Sequence, residues 1–342
     1  MPKPRHLLTS IAIAAMIVAV LPRAEAAGPA AVTRVSVATN GAQASISSSD
    51  DPSISGDGTR IAFESEATNL RPGDTNTDHD IFVHDTVAGT TTRVSVASDG
   101  TQANNHSRLA AISTDGTKVA FISWANNLVA GDTNSREDVF VHDLSTGTTT
   151  RVSVKNDGSQ VEAVLVSTIS ISGDGTRVAF VTNRSDIVPN DTNSDLDVFV
   201  RDTVAGTTTR VSVASDGTQG DFGSDSPSLS ADGTMIAFRS EARNLVPNDT
   251  NLSRDVFLHN LATGVTTRVS VSDSEAEATG GESGIPSLNA DGTKVAFESR
   301  ASNLVAGDTN NAIDVFVRDT AAGTTIRVSV ADDESQASDS SG

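Results

Sequence analysis

The sequence has no cysteine among its 342 residues. This absence excludes a disulfide framework, a thiolate metal site and a lipid-modified N-terminal cysteine. Common enzyme signatures are missing as well: there is no Gly-x-Ser-x-Gly elbow, no His-Glu-x-x-His pair and no phosphate-binding glycine loop. The sequence therefore nominates no catalytic residue, and it leaves an enzymatic function open without favouring it.

Basic residues are scarce. The chain has 24 Lys and Arg against 44 Asp and Glu, a formal net charge of -20. An acidic surface of this kind repels phosphate backbones, so nucleic acid is not the expected partner. The same charge suits solubility, cation binding or a basic partner.

Long apolar runs are confined to the N-terminus. Lys3 and Arg5 precede a largely apolar stretch over 7–21, and the small-x-small triplet over 24–26 follows it, a pattern typical of a secretory signal peptide. The apolar stretch is shorter than the roughly 20 residues of a membrane-spanning helix. The sequence therefore predicts a signal peptide over 1–26, cleaved near Ala26. The mature chain is expected to be periplasmic or secreted, without a transmembrane segment.

The rest of the chain repeats itself every 58 or 59 residues. Arg-Val-Ser-Val begins at 34, 93, 151, 210, 268 and 327, and Asp-Gly-Thr begins at 57, 115, 174, 232 and 291. Each unit contains four short β-type runs and no helical periodicity. Ten of the 11 Phe residues occupy two repeat positions, which implies sheets stacked face to face. The sequence predicts an all-β fold, a β-propeller of five four-stranded antiparallel blades.

The predicted propeller is a single domain over 27–330. Its blades are expected at about 52–96, 110–154, 169–213, 227–271 and 286–330, followed by a polar C-terminal tail over 331–342. An extra N-terminal strand over 33–37 is expected to join the outer edge of the last blade or to pair with another subunit and form an oligomer. The long loops of every unit should leave by one face of the disc, which is then the expected working face.

The units resemble a known repeat. Pro-Ser-Ile-Ser-Gly-Asp-Gly-Thr-Arg-Ile-Ala-Phe at 52–63, followed by Asp-Ile-Phe-Val-His-Asp at 80–85, is similar to the PD40 (WD40-like) repeats of TolB-type propellers. The resemblance recurs five times over 52–330. It implies a β-propeller fold. Because such repeats occur in periplasmic assembly proteins, it also implies a protein or cell-envelope component as partner.

The Asp-Thr-Asn-x-x-x-Asp loops are candidates for a metal site. Their oxygen side chains at positions one, three and seven suit a hard cation such as calcium, and the loops resemble the calcium loops of integrin-type propellers. Alternatively, Asp and Asn fold back on their own backbone as Asx-turns. The calcium hypothesis involves Asp74, Asn76, Asp78, Asp80, Asp132, Asn134, Asp138, Asp191, Asn193, Asp195, Asp197, Asp249, Asn251, Asp255, Asp308, Asn310 and Asp314.

A second candidate site lies where the innermost strands begin. The residues there vary between units and would line the mouth of a central channel: Asp50, Asp51, His106, Arg108, Asp225 and Glu282. Such a mixture could bind a ligand or serve the acid–base chemistry of glycoside hydrolysis, as in five-bladed glycosidases. It could equally be ordinary linker polarity. Trp124, the single Trp, is a candidate stacking platform for a sugar or an interface anchor.

Three functional interpretations follow. The leading one is a non-enzymatic scaffold that binds a protein or envelope component through its long-loop face. The alternatives are a carbohydrate-binding or glycoside-hydrolysing propeller that uses the channel mouth, and a calcium-braced structural surface protein. The histidines at 84, 142 and 259 share a repeat position with Arg201 and Arg318, which predicts solvated cations at strand ends.

Overall fold

The structure, a computed structural model, describes residues 32–45, 48–162, 168–332 and 335–336. The predicted signal peptide and most of the predicted C-terminal tail lie outside these residues. Within Val35–Gly342, which forms one compact unit, the described residues contain twenty β-strands. None of the described segments forms an apolar helix long enough to cross a membrane.

The strands form five four-stranded antiparallel sheets, each built from four consecutive strands. Blade 1 contains β1 Ser49–Ile54, β2 Arg60–Ser65, β3 Asp80–Asp85 and β4 Thr90–Arg93; blade 2 contains β5 Ser107–Ile112, β6 Lys118–Ser123, β7 Asp138–Asp143 and β8 Thr148–Arg151; blade 3 contains β9 Ile169–Ile171, β10 Arg177–Thr182, β11 Asp197–Asp202 and β12 Thr207–Arg210; blade 4 contains β13 Ser224–Leu229, β14 Met235–Ser240, β15 Asp255–Asn260 and β16 Thr266–Arg268; blade 5 contains β17 Ser283–Leu288, β18 Lys294–Ser299, β19 Asp314–Asp319 and β20 Thr324–Arg327. The predicted fold class, a propeller of five four-stranded blades, is confirmed.

The strand boundaries differ from the prediction at two places in the unit. β1 begins at Ser49 rather than at residue 52, because a bulge between Asp50 and Ser53 lets pairing with β2 continue. β4 ends at Arg93 instead of Val96. The Ser95 hydroxyl accepts the bond from Ile81 N (3.1 Å), so a side chain takes the place of the next backbone acceptor.

The core lies between consecutive sheets. Phe63 and Phe82 sit directly opposite each other on β2 and β3 and stack at 5.9 Å, and the other four blades repeat this pair. Four hydrophobic clusters join blades 1–2, 2–3, 3–4 and 4–5, each seating the small aliphatic face of one sheet on the Phe pair of the next. Face-to-face stacking, predicted from the Phe positions, is confirmed.

The first strand of each sheet is the innermost, since first strands of neighbouring blades meet. Ile112 N donates to Ser53 Oγ (3.1 Å), and the same bond joins Leu288 N to Ser228 Oγ (3.0 Å). The fourth strand pairs only with the third strand of its own sheet. The two long connections of each unit therefore leave by one end of the blade, and the short turns leave by the other.

The extra N-terminal strand predicted over 33–37 is not formed. Val37 makes a single bridge to Gln43, and the segment lies on blade 1, where the Thr91 hydroxyl donates to Val37 O. Val35 and Ala44 pack on the cluster that contains the blade 1 Phe pair. In blade 2 the Thr149 hydroxyl makes the equivalent bond to Val96 O.

The segment therefore caps blade 1 as an inter-blade linker would, and the expectation that it joins the outer edge of the last blade is wrong. Pairing with another subunit stays a prediction. The face of blade 5 that corresponds to the packed junction between blades 1 and 2 is more open. Val328 is 43% exposed, whereas its counterpart in blade 1, Val94, is fully buried. No hydrophobic cluster of the described residues joins blade 5 to blade 1.

The repeat-position histidines are buried, not solvated. His84 is 7% exposed, and its Nδ1 lies 2.9 Å from the Thr91 hydroxyl; His142 and His259 make the same contact. Burial lowers the pKa of His142 and of His259. The prediction failed because the strand end that carries these residues is covered by the preceding linker.

Candidate functional site

Each Asp-Thr-Asn loop is held by a buried ionic network. In blade 1 the Arg93 guanidinium lies between two carboxylates, 3.3 Å from Asp74 Oδ1 and 3.4 Å from Asp80 Oδ2. The Gln102 amide donates to the same two groups at 2.8 and 3.0 Å, and the Ser95 hydroxyl donates to Asp80 Oδ1 at 2.5 Å. The arginine contacts recur in all five blades, and in blade 4 Glu277 replaces the glutamine and also pairs with the arginine, Arg268, at 2.9 Å.

Two buried carboxylates share one cation in this network, and the pKa of the second carboxyl group is raised. Burial raises the pKa of Asp80 to about 6, against the lowering effects of the Ser95 hydrogen bond and the Arg93 charge. Asp138 and Asp197 have their pKa raised to about 6 for the same reason. These loops therefore hold acidic groups that titrate well above an ordinary aspartate.

The loop asparagines join neighbouring units. Asn76 Oδ1 accepts from Asp78 N (3.3 Å), an Asx-turn, while its amide donates to Ala103 O (3.1 Å) in the following linker. Blades 2, 3 and 4 make the same link, so the alternative reading of these residues as Asx-turns describes this geometry.

In these loops an arginine guanidinium competes with calcium for the carboxylates. The first and seventh loop carboxylates already face an arginine, and no group of three or more His, Asp or Glu side chains in the described part of the chain is arranged to hold a metal ion. The contacts of these loops favour guanidinium as the bracing charge. Calcium binding stays a prediction.

The units differ from one another mainly at the inner mouth. We define the inner mouth as six repeat positions: the residue before the first strand, the second residue of that strand, the fifth residue of the second strand, the residue after that strand, and the two residues before the third strand. In blade 2 these are His106, Arg108, Ile122, Trp124, Arg136 and Glu137. In blade 4 they are Gly223, Asp225, Arg239, Glu241, Ser253 and Arg254.

A strained bulge shapes the inner mouth. The third residue of the first strand has a positive φ in four blades, although none of the four is glycine: Asp51 (47°), Leu109 (55°), Ser226 (53°) and Ile285 (46°). Such conformations are costly for a branched residue and persist only where the surroundings enforce them. Bulges of this kind re-aim side chains and are common beside functional sites.

Two histidines and three carboxylates meet at the mouth between blades 1 and 2. His79 places Nδ1 3.3 Å from Glu64 and Nε2 2.6 Å from Glu66. Both ring nitrogens of His79 therefore face carboxylate oxygens. His106 accepts from His79 N through Nδ1 (3.0 Å) and faces Asp78 Oδ1 through Nε2 (3.2 Å).

Trp124 lies beside an ion pair on the same mouth. Arg108 contacts Glu137 at 2.7 Å, and its guanidinium carbon sits 5.1 Å from the centre of the Trp124 ring. This is a cation–π contact that leaves the indole partly exposed. In blade 4 the guanidinium carbon of Arg243 lies 4.9 Å from the centre of the Phe222 ring, a contact of the same kind.

The mouth of blade 4 is a chain of opposite charges. Asp225 and Arg239 face each other across the first two strands with a two-point contact of 2.8 and 2.9 Å. Arg254 bonds Glu241 at 2.7 Å and lies 3.9 Å from Glu282 of the next unit. Two clefts of about 220 and 480 Å³ open beside this chain.

The sequence-predicted mouth residues thus fall into separate groups. The structure brings His106, Arg108 and Trp124 together, and it places Asp225 near Glu282 through the arginines between them. Asp50 and Asp51 are exposed on β1, and their side chains make no hydrogen bond or ion pair with another described residue. Sequence reasoning missed several partners: Glu64, Glu66, His79, Glu137, Arg239, Glu241 and Arg254. Their signal was available, because each breaks the repeat next to residues that do not change.

Comparison with known proteins identifies the fold. The β-propeller domain of the Trilobed protease from Pyrococcus furiosus has a TM-score of 0.50 and 12% identity, over 83% of this chain and 72% of that one. A TolB structure from Agrobacterium tumefaciens gives 0.48 and 17%, over 82% and 80%. TolB from Acinetobacter baumannii gives 0.46 and 18% over 82% of this chain, which spans 54% of that protein's length. No protein-family profile and no curated relative matches.

At these identities the likeness concerns the fold. The chain has the β-propeller fold, as the repeat pattern implied. Both enzymes and binding proteins have β-propeller folds, so the function must be argued from the site.

Proposed function

We propose that this protein is a non-enzymatic binding scaffold that holds a protein or cell-envelope component on its long-loop face, centred on the inner mouth. One observation carries the proposal: the units share one framework, and the side chains at the six inner-mouth positions, all at one end of the blades, differ from blade to blade. A binding surface needs this arrangement, because affinity depends on fixed anchors and specificity on distinctive side chains.

The chemistry of the mouth supports a protein partner. Arginine and tryptophan are enriched at interface hot spots, and the Arg108–Trp124 contact supplies both at one point. Exposed apolar side chains lie on the same face, with Leu252 68% and Ile285 61% exposed. The charged pairs of blade 4 provide a polar rim that selects among partners by complementarity.

The location follows from the same reasoning. The N-terminal pattern of a secretory signal and the TolB-like fold both support an extracytoplasmic protein, either periplasmic or secreted. A large negative charge suits such a scaffold, since it opposes self-association and attracts basic partners.

The proposal is tested by affinity capture with the chain over 27–342 against an envelope and secretome extract. We expect one protein recovered in stoichiometric amount, in calcium-containing buffer and in chelator alike, because the loops are braced by arginine. Loss of the partner in chelator would support the calcium-braced alternative. A glycan array run in parallel tests the carbohydrate alternative, and saturable glycan binding with no protein partner would overturn the scaffold.

A further inference from the structure

The first and last blades each leave an apolar face uncovered. Val328 of blade 5 is partly exposed, although its counterparts in the other four blades are buried. At the opposite end of the series, Ile54 of blade 1 is 62% exposed, whereas Ile112, its counterpart in blade 2, is 6% exposed. Uncovered apolar faces of this kind mark interaction sites. We name these two faces, that of blade 5 with Val328 and that of blade 1 with Ile54, the open junction.

The hydrogen bonds that join neighbouring blades stop at the open junction. Ser287 occupies in blade 5 the position of Ser228, whose hydroxyl accepts from the first strand of the following blade, but it makes no such bond among the described residues. Val96 O accepts from the Thr149 hydroxyl of the following blade (2.5 Å), and Val330 O, at the same position in blade 5, has no hydroxyl donor in the described chain. Blade 5 is therefore not docked on blade 1.

A linker between two blades is bonded to both of them. In the linker after blade 1, the Gln102 amide donates to Asp74 of the preceding blade (2.8 Å). The carbonyl of the same residue accepts from the Asn127 amide of the following blade (2.8 Å). One residue of the linker thus marks both of its neighbours.

The open junction has two linkers, and each is bonded to one blade only. Gln43 O, in the N-terminal segment, accepts from the Asn69 amide of the blade that follows it (2.8 Å). Gln336, in the tail, donates to Asp308 of the blade that precedes it (2.9 Å). If blade 5 lay directly on blade 1, these two equivalent linkers would occupy the same place. Both are accommodated when one blade lies between them.

We infer that the open junction binds one four-stranded antiparallel sheet, supplied by a partner protein. The inference goes beyond the proposed function, because it concerns the faces of two blades and not the inner mouth. The four internal junctions define the chemistry of the sheet. Its face toward blade 5 carries a pair of aromatic rings and a hydroxyl that donates to Val330 O. Its face toward blade 1 carries small aliphatic side chains that cover Phe63 and Phe82.

The inference is tested by supplying such a sheet within the chain. In the filled variant, a copy of residues 97–151, which contain one linker and blade 2, replaces the tail over 331–342. Because the sequence has no cysteine, Val328→Cys introduces a single reporter thiol. We expect iodoacetamide to alkylate this thiol at least tenfold more slowly in the filled variant than in the chain over 27–342. The filled variant should also melt at a higher temperature.

Two controls accompany the filled variant. Val32→Cys, at a fully exposed valine, should be alkylated equally fast in both chains. A second filled variant carries Phe121→Ser and Phe140→Ser in the copy alone, and its reporter thiol should react as fast as in the chain over 27–342. The inference is wrong if the first filled variant reacts as fast as that chain and melts no higher.

The unaltered junction provides a second test. In sedimentation equilibrium we expect the chain over 27–342 to be a monomer; self-association that Val328→Asp abolishes would show that a second copy covers the face, and would overturn the inference. A captured partner should slow alkylation of both Val328→Cys and Ile54→Cys. If no captured protein slows both, the inference fails. Capture that depends on Arg108 and Trp124 would still leave the scaffold function standing.

Discussion

At the residue scale, the repeated Arg-Val-Ser-Val motif is explained by its arginine and serine. Arg151 is 9% exposed and stands 3.5 Å from both Asp132 and Asp138, while Ser153 bonds the latter at 2.6 Å. These residues come from two distant parts of the unit, so each arginine ties the long loop to the fourth strand. The motif is therefore structural, and its uniform repetition agrees with that role.

Removal of one of these arginines should be costly. Arg151→Ala leaves two buried carboxylates without their cation, and breaking a buried ion pair typically costs about 3–5 kcal/mol. We expect the urea midpoint to fall accordingly. Arg136→Ala, an exposed arginine in the same loop, is the matched control and should change stability by less than about 0.5 kcal/mol. Equal effects of the two variants would show that the network does not brace the fold.

The raised pKa values predict an unusual pH dependence. Asp138 has a pKa of about 6 in the folded chain and an ordinary value, 3.8, when unfolded. Between these values folding takes up a proton, so its contribution to stability is complete below about pH 4 and disappears as pH rises through 6. Buried His142 and His259, whose pKa values are lowered, oppose this trend in the wild type.

Comparison with Asp138→Asn isolates the effect. The difference in unfolding free energy, wild type minus variant, should increase as pH is lowered from 7 to 4.5, by at most about 1.4 kcal/mol per pH unit. Asp99→Asn serves as the control, since Asp99 is exposed and its pKa is lowered by bonds to Thr101. A difference that stays flat for Asp138→Asn across this range would mean that its carboxyl is not protonated on folding.

At the element scale, the N-terminal segment packs on blade 1 as an inter-blade linker packs on its blade. Val35 and Ala44 cover the apolar cluster of blade 1 as Val94 and Ala103 cover that of blade 2. The sequence shows an extra Arg-Val-Ser-Val copy at 34–37, but it does not show where this copy packs, because the contacts of this segment reach residues more than fifty positions away. The repeat period and the hydrophobic pattern report local structure, and they carry no information about contacts between residues that far apart in the chain.

Disruption of this cap should destabilise blade 1. Val35→Asp places a carboxylate against the cluster that contains Phe63 and Phe82, and we expect a loss of about 2–4 kcal/mol from burying an unpaired charge and losing apolar contact. Hydrogen exchange should show the loss first in β2 and β3. Val32→Asp, at a fully exposed valine, should leave both measurements unchanged. Faster exchange in blade 5 alone would place the segment at the other end of the chain.

The inner strands show the limit of sequence reasoning most clearly. The Phe positions were predictable because five copies repeat them, and their burial followed. The pairing of His106 with Asp78 and of Arg108 with Glu137 was not predictable, since Asp78 and Glu137 lie in the loops before β3 and β7 and meet these residues only when two blades stack or a loop folds back. The positive φ of Leu109 and Ile285 was equally invisible, because nothing in those residue types favours it.

At the scale of the whole molecule, the residues that repeat in every blade and the residues that differ between blades lie in different parts of the structure. The buried networks and Phe pairs are nearly identical in all blades, while the inner mouth changes in every blade. The frame alone would suit a structural protein; the distinctive mouth favours a binding surface with one preferred orientation for its partner. The short-turn face also carries ion pairs, Arg60–Asp85, Arg177–Asp202 and Lys294–Asp319, but these occupy a single repeat position.

The most direct measurement is the affinity of the captured partner for two variants that differ only in the face they alter. The mouth variant carries Arg108→Ala and Trp124→Ala. The turn variant carries Val87→Ser and Val204→Ser, two valines that are each 80% exposed on the short turns. The scaffold account predicts at least a tenfold loss of affinity for the mouth variant and none for the turn variant. Equal affinity of the two, or loss in the turn variant alone, would contradict it.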